Sequence, residues 1–261
     1  MSDQKEKKGR KGSYAAPALY KAFLIIELLA GNPQGLLATD MASALGKSLG
    51  ELFRIIVVME DAGYLQKSPL TDRYTVTYKF LDVAYRATPT RKLTVAAAPE
   101  MQSLALAIGQ SCHLVVHKNG ECLVIAREEN PGTRGFALRV GASIDLVRSC
   151  SGQVLLAFSP PETLDKMLDR AEVLRGVPIG RAALAECLAV VRAQGYDLRE
   201  SAITRGVTDV SYPIFGFGGE LMAALTIPFL ELIDGSQLVQ INDARLKLSE
   251  AAARISTTLG A

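Results

Sequence analysis

Apolar residues recur at helical spacing three times near the start of this chain. Between Leu19 and Leu29 they place Leu19, Phe23, Ile26 and Leu29 on one side of a helix. A short stripe of Met41, Ala42 and Leu45 follows. A longer one of Leu52, Ile55, Ile56, Met59 and Ala62 then leaves the opposite face of its helix free. Polar residues and glycines punctuate these stripes. Thr39 is placed to cap the short helix, with Asp40 just inside it at the positive end of the helix dipole. Gly46 supplies the backbone for a sharp exit, and Ser48 with Glu51 three residues on reads as a capping box. Gly63 stops the long helix, and the period then becomes strand-like: Tyr64 to Lys67, a turn over Ser68 to Asp72, and Arg73 to Val76. A βαβ unit would need strand-like runs on both sides of the short helix, and the segment before it is helical. Three helices followed by a hairpin predict a winged helix-turn-helix over residues 14–78.

A short helix from Lys79 to Arg86 is expected as a linker over residues 79–92, with Pro89 marking the boundary. From residue 93 to 261 the pattern is mixed. A helix is predicted from Ala98 or Pro99 to Ile108. His113–His117 and Glu121–Arg127 flank Lys118-Asn119-Gly120, a strong hairpin signal. A strand at Phe136–Val140 and helices at 152–158, 161–174 and 182–194 come next. Strands at Val207–Ile214 and Leu221–Phe229, and a last helix from Asn242 to Leu259, complete the set. Hairpin-paired strands with helices outside imply an antiparallel sheet in an α+β domain.

Charge adds one feature. The net charge is +2, yet residues 1–13 carry five Lys or Arg against two acids, while residues 14–90 balance and residues 91–261 sum to −1. The basic excess thus lies in a polar tail, expected to be disordered alone and able to lie along phosphates or merely to solubilise. No apolar run approaches the ~18 residues needed to cross a bilayer, and the charged N-terminus lacks a signal-peptide core, so a cytoplasmic protein is expected. Cys112, Cys122, Cys150 and Cys187 show no CxxC spacing and read as reduced thiols.

In a winged helix, the exposed positions at the start of the second helix of the pair, here Lys47, Ser48, Leu49, Gly50 and Phe53 or Arg54, face the major groove. Arg54, with Lys67 or Arg73 in the wing, could hold phosphates; the bland reading of Arg54 and Arg73 is solvated charge. Lys47 and Arg54 are offset by Glu51, Glu60 and Asp61, so one copy alone should bind DNA weakly.

The segments APALYKAFLIIELLA, LFRIIVVMEDAGYL with its Arg54, VGASIDLVRSCSGQVLLAF, and GYDLRESAITRGVTDVSYPIFGFGGELMAALTIPF together resemble the IclR family of bacterial transcription regulators over residues 15–260. The resemblance implies a winged helix, a linker helix used in dimerisation, and a C-terminal GAF-like domain that binds a small organic effector. It further implies a dimer or tetramer acting on double-stranded operator DNA. The positions matching the family's pocket are Cys150, Ser151, Arg199, Val207, Asp209, Thr226 and Pro228. Arg199 stands where some relatives carry an acid, Asp209 where some carry a small or thiol side chain, and Pro228 where a hydroxyl is usual.

Read physically, Ser149-Cys150-Ser151-Gly152 lies between a strand and a helix, so its amides can hold a carboxylate, and its small side chains would let a ligand come close. Arg199 or Arg148 could pair an acidic effector; Arg199 could equally pair with Asp197, Glu200 or Asp209. Thr226 and Pro228, two apart on a strand, share a face.

Two rival chemistries find less support in the sequence. Cys150 or Ser149 with His113 and His117 could form a nucleophile and base, but no GxSxG elbow or orienting acid stands out. Cys112, His113 and His117 are near in sequence, yet Cys112 and His113 point to opposite faces of a strand. No enzyme, metal or cofactor is therefore expected.

Overall fold

The computed structural model describes residues 16–87, 90–132 and 135–261. The basic tail at 1–13 and the boundary proline Pro89 lie outside them. The chain divides into two compact units, Met1–Thr88 and Pro89–Ala261.

The first unit holds α1 (Pro17–Ala30), α2 (Ala38–Ala44), α3 (Leu49–Asp61), β1 (Leu65–Lys67), β2 (Tyr74–Val76) and α4 (Lys79–Ala87). β1 and β2 pair antiparallel, Leu65 opposite Val76, which makes the expected wing. Its core gathers Ile25, Leu29, Met41, Leu52, Ile56, Met59, Leu65 and Tyr74. Two expectations fail here. Leu19 and Phe23 are more than half exposed, and α1 instead buries Ile25 and Leu29, with Ala22 and Ile26 packed beside them. This helix is apolar nearly all round, so period alone does not choose its inner face. Thr39 does not cap α2 either, because Leu37 occupies the N-cap position. Leu36 exchanges two backbone hydrogen bonds with Tyr74 (3.1 and 2.8 Å), an isolated bridge at the edge of the wing, so the helix starts where that pairing releases the chain. Gly35 lets Leu36 reach Tyr74, since a Cβ there would stand 2.7 Å from the Tyr74 carbonyl oxygen at a φ of +71°.

The second unit is three-layered. A six-stranded sheet is built from β3 (Cys112–Lys118), β4 (Glu121–Glu128), β5 (Ser143–Asp145), β6 (Asp197–Glu200), β7 (Val207–Phe215) and β8 (Leu221–Leu230). Its order is β5-β4-β3-β8-β7-β6, and every neighbouring pair is antiparallel. Helices α5 (Thr90–Ile108) and α9 (Ile241–Thr258) cover one face through Leu93, Met101, Ile108, Leu248 and Ile255. Helices α6 (Cys150–Phe158), α7 (Pro161–Arg175) and α8 (Arg181–Gln194) pack through Val154, Leu156, Met167 and Leu188 with Val115 and Ala224 of the other face.

The Asn119-Gly120 turn forms as expected, both residues taking positive φ (50° and 91°). Helix α5 begins earlier than expected and carries Pro99 in its interior. A proline there costs roughly 3 kcal/mol. Leu93, Ala97, Met101, Leu104 and Ile108 are all 3% exposed or less, and burial returns about 1.5–3 kcal/mol for each large side chain. The expected strand at 136–140 does not form. The outer edge of β4 is taken instead by residues 141–145: Gly141 donates to the Val124 carbonyl, Val124 donates to Ala142, and Cys122 pairs with Ile144. Among the described residues no helix is long and apolar enough to cross a membrane.

Candidate functional site

The helix-turn-helix expected from sequence is formed by α2 and α3. Gly46 takes a φ of +62°, Lys47 donates to the Ala42 carbonyl across the turn, and the Ser48 hydroxyl accepts from the Glu51 amide to start α3. Lys47, Ser48, Leu49, Gly50, Phe53 and Arg54 are all exposed. Glu51 lies among them, but Lys21 of α1 holds its carboxylate in an ion pair. The hydrogen bond from Lys21 is the main reason its pKa lies below the ordinary value. In the wing, Lys67 pairs with Asp72 at 2.7 Å and sits over the Tyr74 ring. Arg73 is tied inward, its Nη1 donating to the Gly35 carbonyl at 2.9 Å. Arg54 has no ion-pair partner among the described residues.

The second site is a cavity of about 60 Å³ in the larger unit. Its floor comes from the sheet: His113 of β3, Thr226 and Pro228 of β8, and Asp209 of β7. Backbone register puts them together, His113 opposite Thr226 and Asp209 opposite Pro228. One wall is the start of α6, from Arg148 to Ser151; others come from Phe136, Leu138 and the loop carrying Ser201 and Ile203. Ser149 caps α6 by accepting from the Gly152 amide at 3.0 Å, and the Arg148 side chain is exposed at the rim. The positive end of α6 lies at this wall, where Asp145, also in the lining, already accepts from the Val147 and Arg148 amides at 2.8 Å.

The individual residues sort clearly. Cys150, Ser151, Asp209, Thr226 and Pro228 line the cavity as expected from sequence. Arg199 and Val207 do not. Arg199 binds Asp197 with contacts of 2.5 and 3.0 Å, one of the ion pairs the sequence offered it, and Val207 is buried at the start of β7. Gly152 serves packing, since a Cβ there would stand 2.0 Å from the Leu146 carbonyl oxygen. His113, Phe136, Leu138, Ser201 and Ile203 line the cavity and were not assigned to it from sequence. The alternation of β3, with Leu114 in one core and Val115 in the other, was the available signal for His113.

Electrostatics limit the chemistry. The buried Cys150 Sγ donates to the carbonyls of Asp197 (3.3 Å) and Asp209 (3.4 Å), and burial pushes its pKa well above the usual thiol value. Burial thus disfavours the thiolate that a nucleophile would need. Burial lifts Asp209 to about 6, against a hydrogen bond from Ser201. Burial lowers His113 to about 4. Its neighbour Cys112 belongs to the opposite core, and His117 Nε2 accepts from the Gly120 amide. Among the described residues no three His, Cys, Asp or Glu side chains are grouped to hold a metal ion.

Comparison with known proteins assigns both units. Residues 18–69 match the IclR helix-turn-helix domain, and residues 86–257 match the bacterial transcriptional regulator IclR C-terminal domain. The chain belongs to the IclR family. It is a transcriptional regulator with that family's DNA-binding and C-terminal domains. IclR-family relatives include the DNA-binding transcriptional repressor YiaJ of Escherichia coli K12, 22% identical with 100% of this chain and 92% of that one covered. The glycerol operon regulatory protein of Streptomyces griseus is 27% identical, with 94% and 96% covered. Among solved structures, an IclR homolog from Microbacterium hydrocarbonoxydans complexed with 4-hydroxybenzoate has a TM-score of 0.75 at 22% identity, covering 93% of this chain and 98% of that one. Thermotoga maritima IclR has a TM-score of 0.73 at 24% identity, with the same coverage.

Proposed function

We propose that this IclR-family protein binds a specific double-stranded operator as a homo-oligomer and that a small organic acid in the cavity controls that binding. The cavity itself carries the reading: a helix N-terminus and an exposed Arg148 stand over apolar walls, in the chain that also presents the free face of α3. A solved relative holding 4-hydroxybenzoate supports a carboxylate ligand.

Pairing of two copies follows from charge. The turn before α3 and its exposed face offer Lys47 and Arg54 alone, so affinity requires a second copy, the wing and the basic tail of residues 1–13. The apolar face of α1, with Leu19, Tyr20 and Phe23 more than half exposed, supports such pairing. Ligand binding then acts by favouring one spacing of the paired reading helices over another.

Footprinting on the DNA flanking its own gene tests the proposal. A salt-sensitive, site-specific footprint whose affinity changes with an added organic acid is the expected result. Retention of all DNA sequences alike would refute it.

A further inference from the structure

We propose that His113 selects the effector: the cavity takes a small acid that also carries an uncharged hydrogen-bonding group such as a hydroxyl, and His113 binds that group at the cavity floor. The inference rests on the acid-binding reading above and deepens it.

His113 is the unpaired group in a row that is otherwise satisfied. Across the sheet from it, the hydroxyls of Thr226 and Ser211 bond each other at 2.8 Å, and Asp197 holds Arg199. His113 is 3% exposed, lines the cavity, and has a buried Nδ1 with no hydrogen-bond partner. Leaving a buried polar nitrogen unpaired costs the folded chain that nitrogen's hydration, and a bound ligand group restores the loss.

The chemistry of that group follows from the ring. Burial holds His113 near a pKa of 4, so it is neutral at physiological pH. A neutral imidazole presents one donor and one acceptor, and a hydroxyl answers either one. A carboxylate at the floor would be buried against an uncharged ring, with Asp209 as a second anion in the same cavity. Charge is accommodated at the mouth instead, by the exposed Arg148 guanidinium, whose neighbour Asp145 is engaged by the Val147 and Arg148 amides. Between mouth and floor, Phe136, Leu138 and Ile203 supply apolar contact for the ligand body.

The test is titration calorimetry on the full chain at pH 7.5 with matched acids. One set is benzoate, 3- and 4-hydroxybenzoate and terephthalate; the other is hexanoate, 6-hydroxyhexanoate and adipate. In at least one set a hydroxy acid should bind about tenfold tighter than its parent, and the dicarboxylate more weakly than the parent. His113→Leu should erase the hydroxyl preference and His113→Asn, whose amide overlays the Nδ1 edge of the ring, should retain it. Arg148→Gln should weaken parent and hydroxy acid alike. An independent readout needs no variant: His113 and His117 are the only histidines, so in the ¹⁵N-histidine-labelled protein the His113 Nδ1 resonance should move with the hydroxy acid and stay with the parent. Equal binding of parent and hydroxy acid in both sets, a preference that survives His113→Leu, or an unmoved Nδ1 resonance would overturn the role of His113 and leave the acid-binding reading standing. No binding by any of the acids would overturn both.

Discussion

Asp209→Asn should stabilise the larger unit at alkaline pH and do little in acid. In the folded chain Asp209 titrates at about 6 against an ordinary 3.8 because it is desolvated at the cavity wall. The folded state therefore holds this proton more tightly than the unfolded state does. The stability it contributes is fully present below pH 3.8, is lost as pH rises through 6, and the penalty is complete above about pH 7. At 1.36 kcal/mol per pH unit the full penalty is about 3 kcal/mol, reduced to roughly 2 kcal/mol because the carboxylate is only partly buried and solvent screens it. At pH 4.5 the same arithmetic leaves under about 1 kcal/mol. Differential scanning calorimetry reads the effect. The unit of residues 89–261 should melt with roughly 120 kcal/mol, at about 0.7 kcal/mol per residue, which separates it from the smaller unit. Asp209→Asn should raise that transition by about 4–8 °C at pH 8 and by no more than about 3 °C at pH 4.5. An equal shift at the two pH values, or a destabilised variant at pH 8, would refute the argument that a buried charge is being removed.

Other outcomes follow from single contacts. Gly152→Ala drives a methyl group against the Leu146 carbonyl and should destabilise the protein by more than about 3 kcal/mol, seen as lost soluble yield or a collapse in melting temperature. Ser48→Ala removes the cap of α3 and should cost about 1 kcal/mol in the smaller unit's transition. Glu51→Gln frees Lys21 beside the reading face, so DNA affinity should rise and the salt dependence should steepen by roughly one phosphate contact; anisotropy titrations at several salt concentrations measure both. With a disulfide-exchange dye, the exposed Cys187 should react rapidly and the buried Cys112, Cys122 and Cys150 only after unfolding.

The reading helix and the wing were legible in the sequence because their signals are local. Ser48 caps the residues that follow it, Gly46 and Gly63 adopt the positive φ their positions require, and Leu52, Ile56 and Met59 repeat within one helix. The Asn119-Gly120 hairpin was legible for the same reason. Five of the seven pocket positions carried over from the family resemblance line the cavity: Cys150, Ser151, Asp209, Thr226 and Pro228.

What the sequence left open depends on partners distant along the chain. The inner face of α1 was decided by Met41, Leu52 and Tyr74, and the start of α2 by the pairing of Leu36 with Tyr74. Phe136 and Leu138 look like a strand, but residues 141–145 took the edge of β4 and left them to wall the cavity. Asp197 withdrew Arg199 from the cavity. His113 became a floor residue because β3 pairs with β8 and sets it opposite Thr226. Period and capping fix which elements form, since they act within a few residues; tertiary pairing decides which groups share a cavity and which are left there without a partner.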